Sequence, residues 1–140
     1  MVDFKILREH WIVMRYNVIL LLTMIFLHIV DDFYLQGKLA DYKQKSWWKN
    51  NYPDELYKND YIIALLIHSF SWSFMITVPM IVDKYNTLSQ LVIIITVLIN
   101  MLVHALVDDL KANELKLSLL QDQLIHLMQI VCTWLVLSIV

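Results

Sequence analysis

Residues 88–111 read LSQLVIIITVLINMLVHALVDDLK. The first 20 of them, Leu88 to Val107, contain no Asp, Glu, Lys or Arg; two aspartates and a lysine then arrive together. A helix rising about 1.5 Å per residue needs about 20 predominantly apolar residues to cross a bilayer core. Three other stretches match this one. Tyr61 to Val82 has 22 residues free of those four types, and residues 123–140 run uncharged after Asp122. Trp11 to Phe33 is apolar too, with Arg15 and Asn17 near its start, where a long basic side chain can snorkel to the interface.

Working outward, the whole chain fits that reading. It has 140 residues, 59 % of them hydrophobic, with one Gly and two Pro, and a mean hydropathy of +0.58. So little turn chemistry argues against an all-β fold, and lipid offers no partners for free backbone groups, so helices are expected. A net charge of −2 lacks the basic excess that nucleic-acid binding needs. Cys132 is alone among apolar neighbours, which excludes a disulfide framework or a CxxC metal site. The expectation is an all-α polytopic membrane protein of one domain, residues 1–140. Its four transmembrane helices, roughly 11–33, 61–82, 88–109 and 120–140, form an up-down-up-down bundle. Lys5, Arg8 and Arg15 precede the first run as in a signal peptide, but no small-residue cleavage site follows, so it reads as a retained span.

Between the first two spans, segment 38–50 is Lys-rich and carries Trp47 and Trp48, which favours a short interfacial helix. Gly37 suits a left-handed cap after the first helix. Pro53, Asp54 and Glu55 resemble a helix start. Pro79 is placed to kink the second span or mark its exit. Counting Lys and Arg gives four on the side of the N-terminus and the 83–87 turn, and seven on the other. The positive-inside rule then puts the 34–60 loop and the polar cluster near the cytoplasmic face of a bacterial inner membrane, or of a host membrane for a phage-encoded chain.

Four histidines fall one per span: His28, His68, His104 and His126. His10 precedes the first span and is expected at the interface. His28 and His104 lie near the ends of their helices, His68 and His126 near the starts of theirs. In an alternating bundle all four share one layer, roughly 7–11 Å from one membrane edge. Asp32 follows His28 by four residues, Asp108 follows His104 by four, and Asp122 precedes His126 by four. Such pairs share a helix face. Asp31 and Asp109, the other members of the two DD pairs, are expected to face headgroups or water. Thr96, Asn100 and Lys111 extend the stripe on the third span, Gln129 and Thr133 that on the fourth. Ser71 and Trp72 stand beside His68.

Imidazoles and carboxylates converging from several helices are a ligand set for a divalent metal: Zn²⁺ first, Mn²⁺ or Fe as alternatives, in one or two ions. The metal candidates are His28, Asp32, His68, His104, Asp108, Asp122 and His126. A structural polar network and a metal-free proton relay remain alternatives, although each unpaired intramembrane charge costs about 2.5–3.5 kcal/mol on insertion scales.

The strings HIVDDFYLQ, LADYK, HALVDDLK and DQLIH resemble the bacterial and phage membrane proteins grouped as domain-of-unknown-function family 3307. The resemblance covers nearly the whole chain. It implies importance for His28, Asp32, Phe33, Gln36, Ala40, Lys43, His68, His104, Asp108, Lys111, Asp122, Gln123 and His126. It carries no activity with it.

The site chemistry favours a membrane-embedded metal-dependent hydrolase acting on a lipid or other amphiphile. Asp32 and Asp108 are the candidate bases, and Lys111, with Lys43, stabilises an anionic group. Transport of a metal ion or protons is the second reading, and a small interaction protein with a structural metal, possible also as a homo-oligomer, is the third.

Overall fold

The computed structural model describes residues 4–139, with side chains from Arg15 to Ile139, and these are all-helical. The elements are α1 (Phe4–Ile29), a π-helical turn continuing it (Val30–Leu35), α2 (Leu39–Tyr42), α3 (Lys45–Asn51), a 3-10 turn (Glu55–Tyr57), α4 (Asp60–Asp83), α5 (Gln90–Ala112) and α6 (Leu119–Ile139). Four stretches, Arg15–Leu35, Glu55–Asp83, Gln90–Ala112 and Leu119–Ile139, are long and apolar enough to cross a membrane. The side chains of Lys5, Arg8, His10 and Trp11 lie outside the described ones.

Local chemistry sets the breaks. Gly37 adopts φ 50°, a left-handed conformation that turns the chain out of the first span. The Asp54 carboxylate accepts the Leu56 backbone N–H at 3.2 Å, but it caps only the short 3-10 turn. The long helix α4 begins later than Pro53 suggested, at Asp60. Pro79 sits inside α4, which continues to Asp83.

The packing inverts the pattern of a water-soluble protein. On α5 the buried residues are Val97, Asn100, His104, Val107 and Asp108, while Leu91, Ile94, Ile95, Leu98, Ile99, Leu102 and Leu106 face outward. An apolar exterior around polar contacts is what a hydrocarbon solvent permits. Helix α4 is central, packing against all the other numbered helices. Its Ser69, Ser73 and Thr77 are fully buried at four-residue spacing. Ser73 and Thr77 return their hydroxyl protons to the carbonyls of Ser69 and Ser73, at 2.6 and 2.7 Å. Small residues at this spacing let helices approach closely, and of the three hydroxyls only that of Ser69 lacks a hydrogen-bond partner among the described residues.

The two halves of the bundle differ. Leu20, Met24, Ile76, Met80, Leu88, Ile130 and Leu137 form an apolar core at the end holding the α4–α5 connection, with Trp72 at its boundary. That end is tied by the Tyr16 hydroxyl donating to Asp83 at 2.7 Å. Lys84 donates to the Ser138 carbonyl at 3.1 Å, a cation serving the last carbonyls of α6. The opposite half holds nearly every buried charge.

Candidate metal centre

Helices α1 and α5 bring their C-terminal ends, and α4 and α6 their N-terminal parts, to one layer. There His28 and His126 have ring centroids 5.9 Å apart, His126 and His104 4.1 Å, and His104 and His68 5.0 Å. All four rings are buried. Trp72 lies beneath them, stacked on His104 at 4.2 Å. It closes the layer toward the apolar core.

Three of the histidines meet carboxylates. His68 Nε2 stands 3.1 Å from His104 Nε2, 3.3 Å from Asp32 Oδ1 and 3.5 Å from Asp108 Oδ2. His104 Nε2 is 3.8 Å from Asp108 Oδ2. His126 Nε2 is 3.5 Å from Asp108 Oδ1 and 3.3 Å from Asp122 Oδ1. Two ligand atoms at the tetrahedral angle around a zinc bond of about 2.0–2.2 Å stand about 3.3–3.6 Å apart. Two triads, Asp32–His68–His104 and His104–Asp108–His126, have ligand atoms all within 4.8 Å of one another. Both nitrogens of His126, Nδ1 of His104 and Oδ1 of Asp122 are buried without a hydrogen-bond partner among the described residues. Orphaned polar atoms at such depth are costly, and a cation among them removes the cost.

His28 is bonded differently. The indole N–H of Trp72 donates to its Nδ1 at 2.7 Å. An indole can only donate, so His28 carries its proton on Nε2, which faces Gln123 Oε1 at 3.1 Å. The Gln123 amide in turn donates to Asp32 Oδ2 and Asp122 Oδ2, both at 3.0 Å. One relay thus fixes a tautomer, an amide and two carboxylates from three helices.

Asp31 corrects the expectation of an interfacial residue: it is 1 % exposed. As the i+3 neighbour of His28 it flanks the same helix face as the i+4 residue Asp32, and within the π-helical turn of residues 30–35 it is buried. Asp31 Oδ1 accepts from the Ser71 hydroxyl at 2.6 Å, and Oδ2 lies 3.8 Å from His68 Nδ1. The same turn carries Gln36 to His68 Nε2, at 2.8 Å. Asp109 is half-buried at the edge, bonded to Asn113 at 2.7 Å and 3.9 Å from Lys45.

Two lysines close the mouth. Lys43 Nζ meets Asp108 Oδ2 at 2.6 Å, and Lys111 Nζ meets Asp122 Oδ2 at 2.5 Å. Lys43 is delivered by the α2–α3 corner, which Asn113 pins from α5. The Asn113 amide donates to the Lys43 carbonyl at 3.0 Å, and its oxygen accepts the Lys45 N–H at 2.7 Å. Nothing in the spacing of the sequence pointed to Asn113. A cavity of about 340 Å³ lined by Gln36, Ala40, Lys43, Asp108 and Lys111, among others, opens here. With imidazoles neutral, the buried Asp31, Asp108 and Asp122 and the half-buried Asp32 against Lys43 and Lys111 leave a formal charge of minus two.

Other singled-out residues lie nearby or outside. Asn100, Gln129 and Thr133 form a separate knot joining α5 to α6, with Asn100 donating to Thr133 at 2.9 Å and Gln129 to Asn100 Oδ1 at 2.9 Å. Thr96 and the exposed Cys132 line the groove beside it. Phe33 points outward, 56 % exposed. Trp47 and Trp48 pack with Tyr42, Tyr52 and Tyr57 in an aromatic cluster on α2, α3 and the loop beyond them.

The described residues are all-helical, with four potential membrane spans and a buried His/Asp cluster able to hold a metal ion; no protein-family model, curated protein or solved structure matches the chain.

Proposed function

We propose that this protein is a membrane-embedded metal-dependent hydrolase acting on a lipid or other amphiphile whose polar part reaches the centre through its mouth. The observation that carries the reading is the convergence of unpartnered imidazole and carboxylate atoms beside a cavity rimmed by two lysines. His68, His104 and Asp108 would hold a cation, a three-ligand set of the kind catalytic zinc sites use. A divalent cation there supplies Lewis acidity and activates water at neutral pH. Asp32, 3.3 Å from His68 Nε2 and less deeply buried than the other three carboxylates, takes the proton of the attacking water. Asp108 lines the cavity and orients the ligand set. Lys111 and Lys43 hold an anionic headgroup or the developing negative charge. His28, with both nitrogens committed, supports the carboxylates through Gln123 and is a positioning residue.

The apolar core below Trp72 favours hydrolysis over transport, since the polar groups in that half, Ser73, Thr77 and the Asn100–Gln129–Thr133 knot, are uncharged and bonded within or between helices. Membership of domain-of-unknown-function family 3307 is proposed on the motif match alone. A bacterial inner membrane, with the mouth toward the cytoplasm, is proposed on the lysine excess of that side.

The test is metal content and lipid turnover of detergent-purified protein before and after chelation. Bound Zn²⁺, Mn²⁺ or Fe is expected, with release of product from a phospholipid or lipid-phosphate panel that stops on chelation and returns on metal addition. Protein that binds no metal under any loading condition sinks the proposal.

A further inference from the structure

The geometry points to two cation positions sharing Asp108 as a bridging carboxylate. Position A is formed by His68 Nε2, His104 Nε2 and Asp108 Oδ2, with mutual separations of 3.1, 3.5 and 3.8 Å. Position B is formed by His126 Nε2 with Asp108 Oδ1 at 3.5 Å and Asp122 Oδ1 at 3.3 Å. The two oxygens of one carboxylate thus serve different sites, the arrangement of metal pairs held about 3.5–4 Å apart. This rests on the metal reading above and specifies its stoichiometry.

Position B has its own support. His126 and Asp122 are both fully buried, and neither His126 Nε2 nor Asp122 Oδ1 has a hydrogen-bond partner among the described residues. The other oxygen of Asp122 is saturated by Lys111 and Gln123, so Oδ1 is held toward His126. Asp108 has Lys43 on the oxygen that faces A, and Oδ1 free to face B. Charge then selects the substrate. One divalent cation neutralises the formal minus two of the cluster. A second makes it plus two, a total that already includes Lys43 and Lys111 on the rim of the adjoining cavity. Such a mouth takes a dianionic group, and among amphiphile headgroups a phosphate monoester fits that charge.

The competing occupant of position B is a proton, with imidazolium His126 bridging Asp108 and Asp122. Equilibrium dialysis of the full chain in detergent against Zn²⁺ and against Mn²⁺ separates the two. The expected result is about two ions per chain for the unmutated protein and about one for Asp122→Asn and His126→Gln. Mn²⁺-loaded protein should show the exchange-coupled spectrum of a pair in electron paramagnetic resonance, reverting to isolated Mn²⁺ in Asp122→Asn. The unmutated protein suffices should either variant fail to fold. Saturation at one ion with an uncoupled spectrum overturns the two-position assignment and leaves the hydrolase reading standing. No binding at all removes both.

Discussion

His28 and His126 look equivalent as letters, each one imidazole in one span, yet their surroundings commit them to different work. Trp72 fills one nitrogen of His28 and Gln123 the other, whereas both nitrogens of His126 are unpartnered among the described residues. Trp72→Phe keeps most of the ring volume and removes the donor. Leaving His28 Nδ1 buried and unsatisfied should cost about 1–3 kcal/mol in thermal or denaturant unfolding, and loosening the relay should weaken metal binding about 10–100-fold. Unchanged stability and affinity would show that the relay does not matter. Asp32→Asn should retain bound metal while turnover falls, because it removes the proton acceptor while its one amide oxygen keeps the Gln123 contact, losing only the longer bond from Gln36 to the other oxygen. Loss of metal in parallel with activity would make Asp32 a ligand instead. At the mouth, Lys43 is 12 % exposed and Lys111 32 %. Lys43→Met leaves a buried carboxylate unpaired in the metal-free protein, for which about 3–5 kcal/mol is typical. Lys111→Met should cost less in the same unfolding measurement, because Asp122 Oδ2 keeps the Gln123 amide as a donor. Equal costs would count against that compensation.

At the scale of the element, the π turn is what an α-helical wheel does not see. Counting in fours from His28 finds Asp32 and passes over Asp31, yet it is Asp31 that the structure buries fully, with Asp32 half-buried beside it. Deleting Tyr34, which is 78 % exposed, should convert the wide turn to regular helix and rotate Gln36 away from His68. The expected outcome is weaker metal binding with helix content unchanged by circular dichroism; unaffected binding would mean that the turn is incidental. The spans themselves were legible because a run of about 20 uncharged residues has few other uses. The histidine layer was legible because distance from a helix end is depth. What the sequence concealed depends on side-chain direction across helices. Asn113 pinning the Lys43 corner is of that kind, as is Trp72 choosing the tautomer of His28, and neither can be read from spacing along one helix. The 3-10 turn at Glu55–Tyr57 shows the limit of capping chemistry: Asp54 makes its bond, yet the helix waits for Asp60.

For the molecule as a whole, metal and fold are linked. A ligand that binds only the folded state stabilises it by about 2.7 kcal/mol at a concentration one hundred times its dissociation constant. Added Zn²⁺ should therefore raise the unfolding temperature in detergent. Imidazole and carboxylate bind metal only when deprotonated, so the increment should shrink as pH is lowered from about 7.5 toward 5. A pH-independent increment, or none, would speak against histidine ligation. The polar interior of α5 has a last consequence, for biogenesis. Asn100, His104 and Asp108 are all buried against other helices in the finished protein, but a helix released singly from a translocon has no such neighbours. Insertion scales charge about 2.5–3.5 kcal/mol for an unpaired aspartate at mid-membrane. The connection from α4 to α5 spans only residues 84–89. Helix α5 should accordingly leave the translocon as a hairpin with α4 already in register, its partners travelling with it.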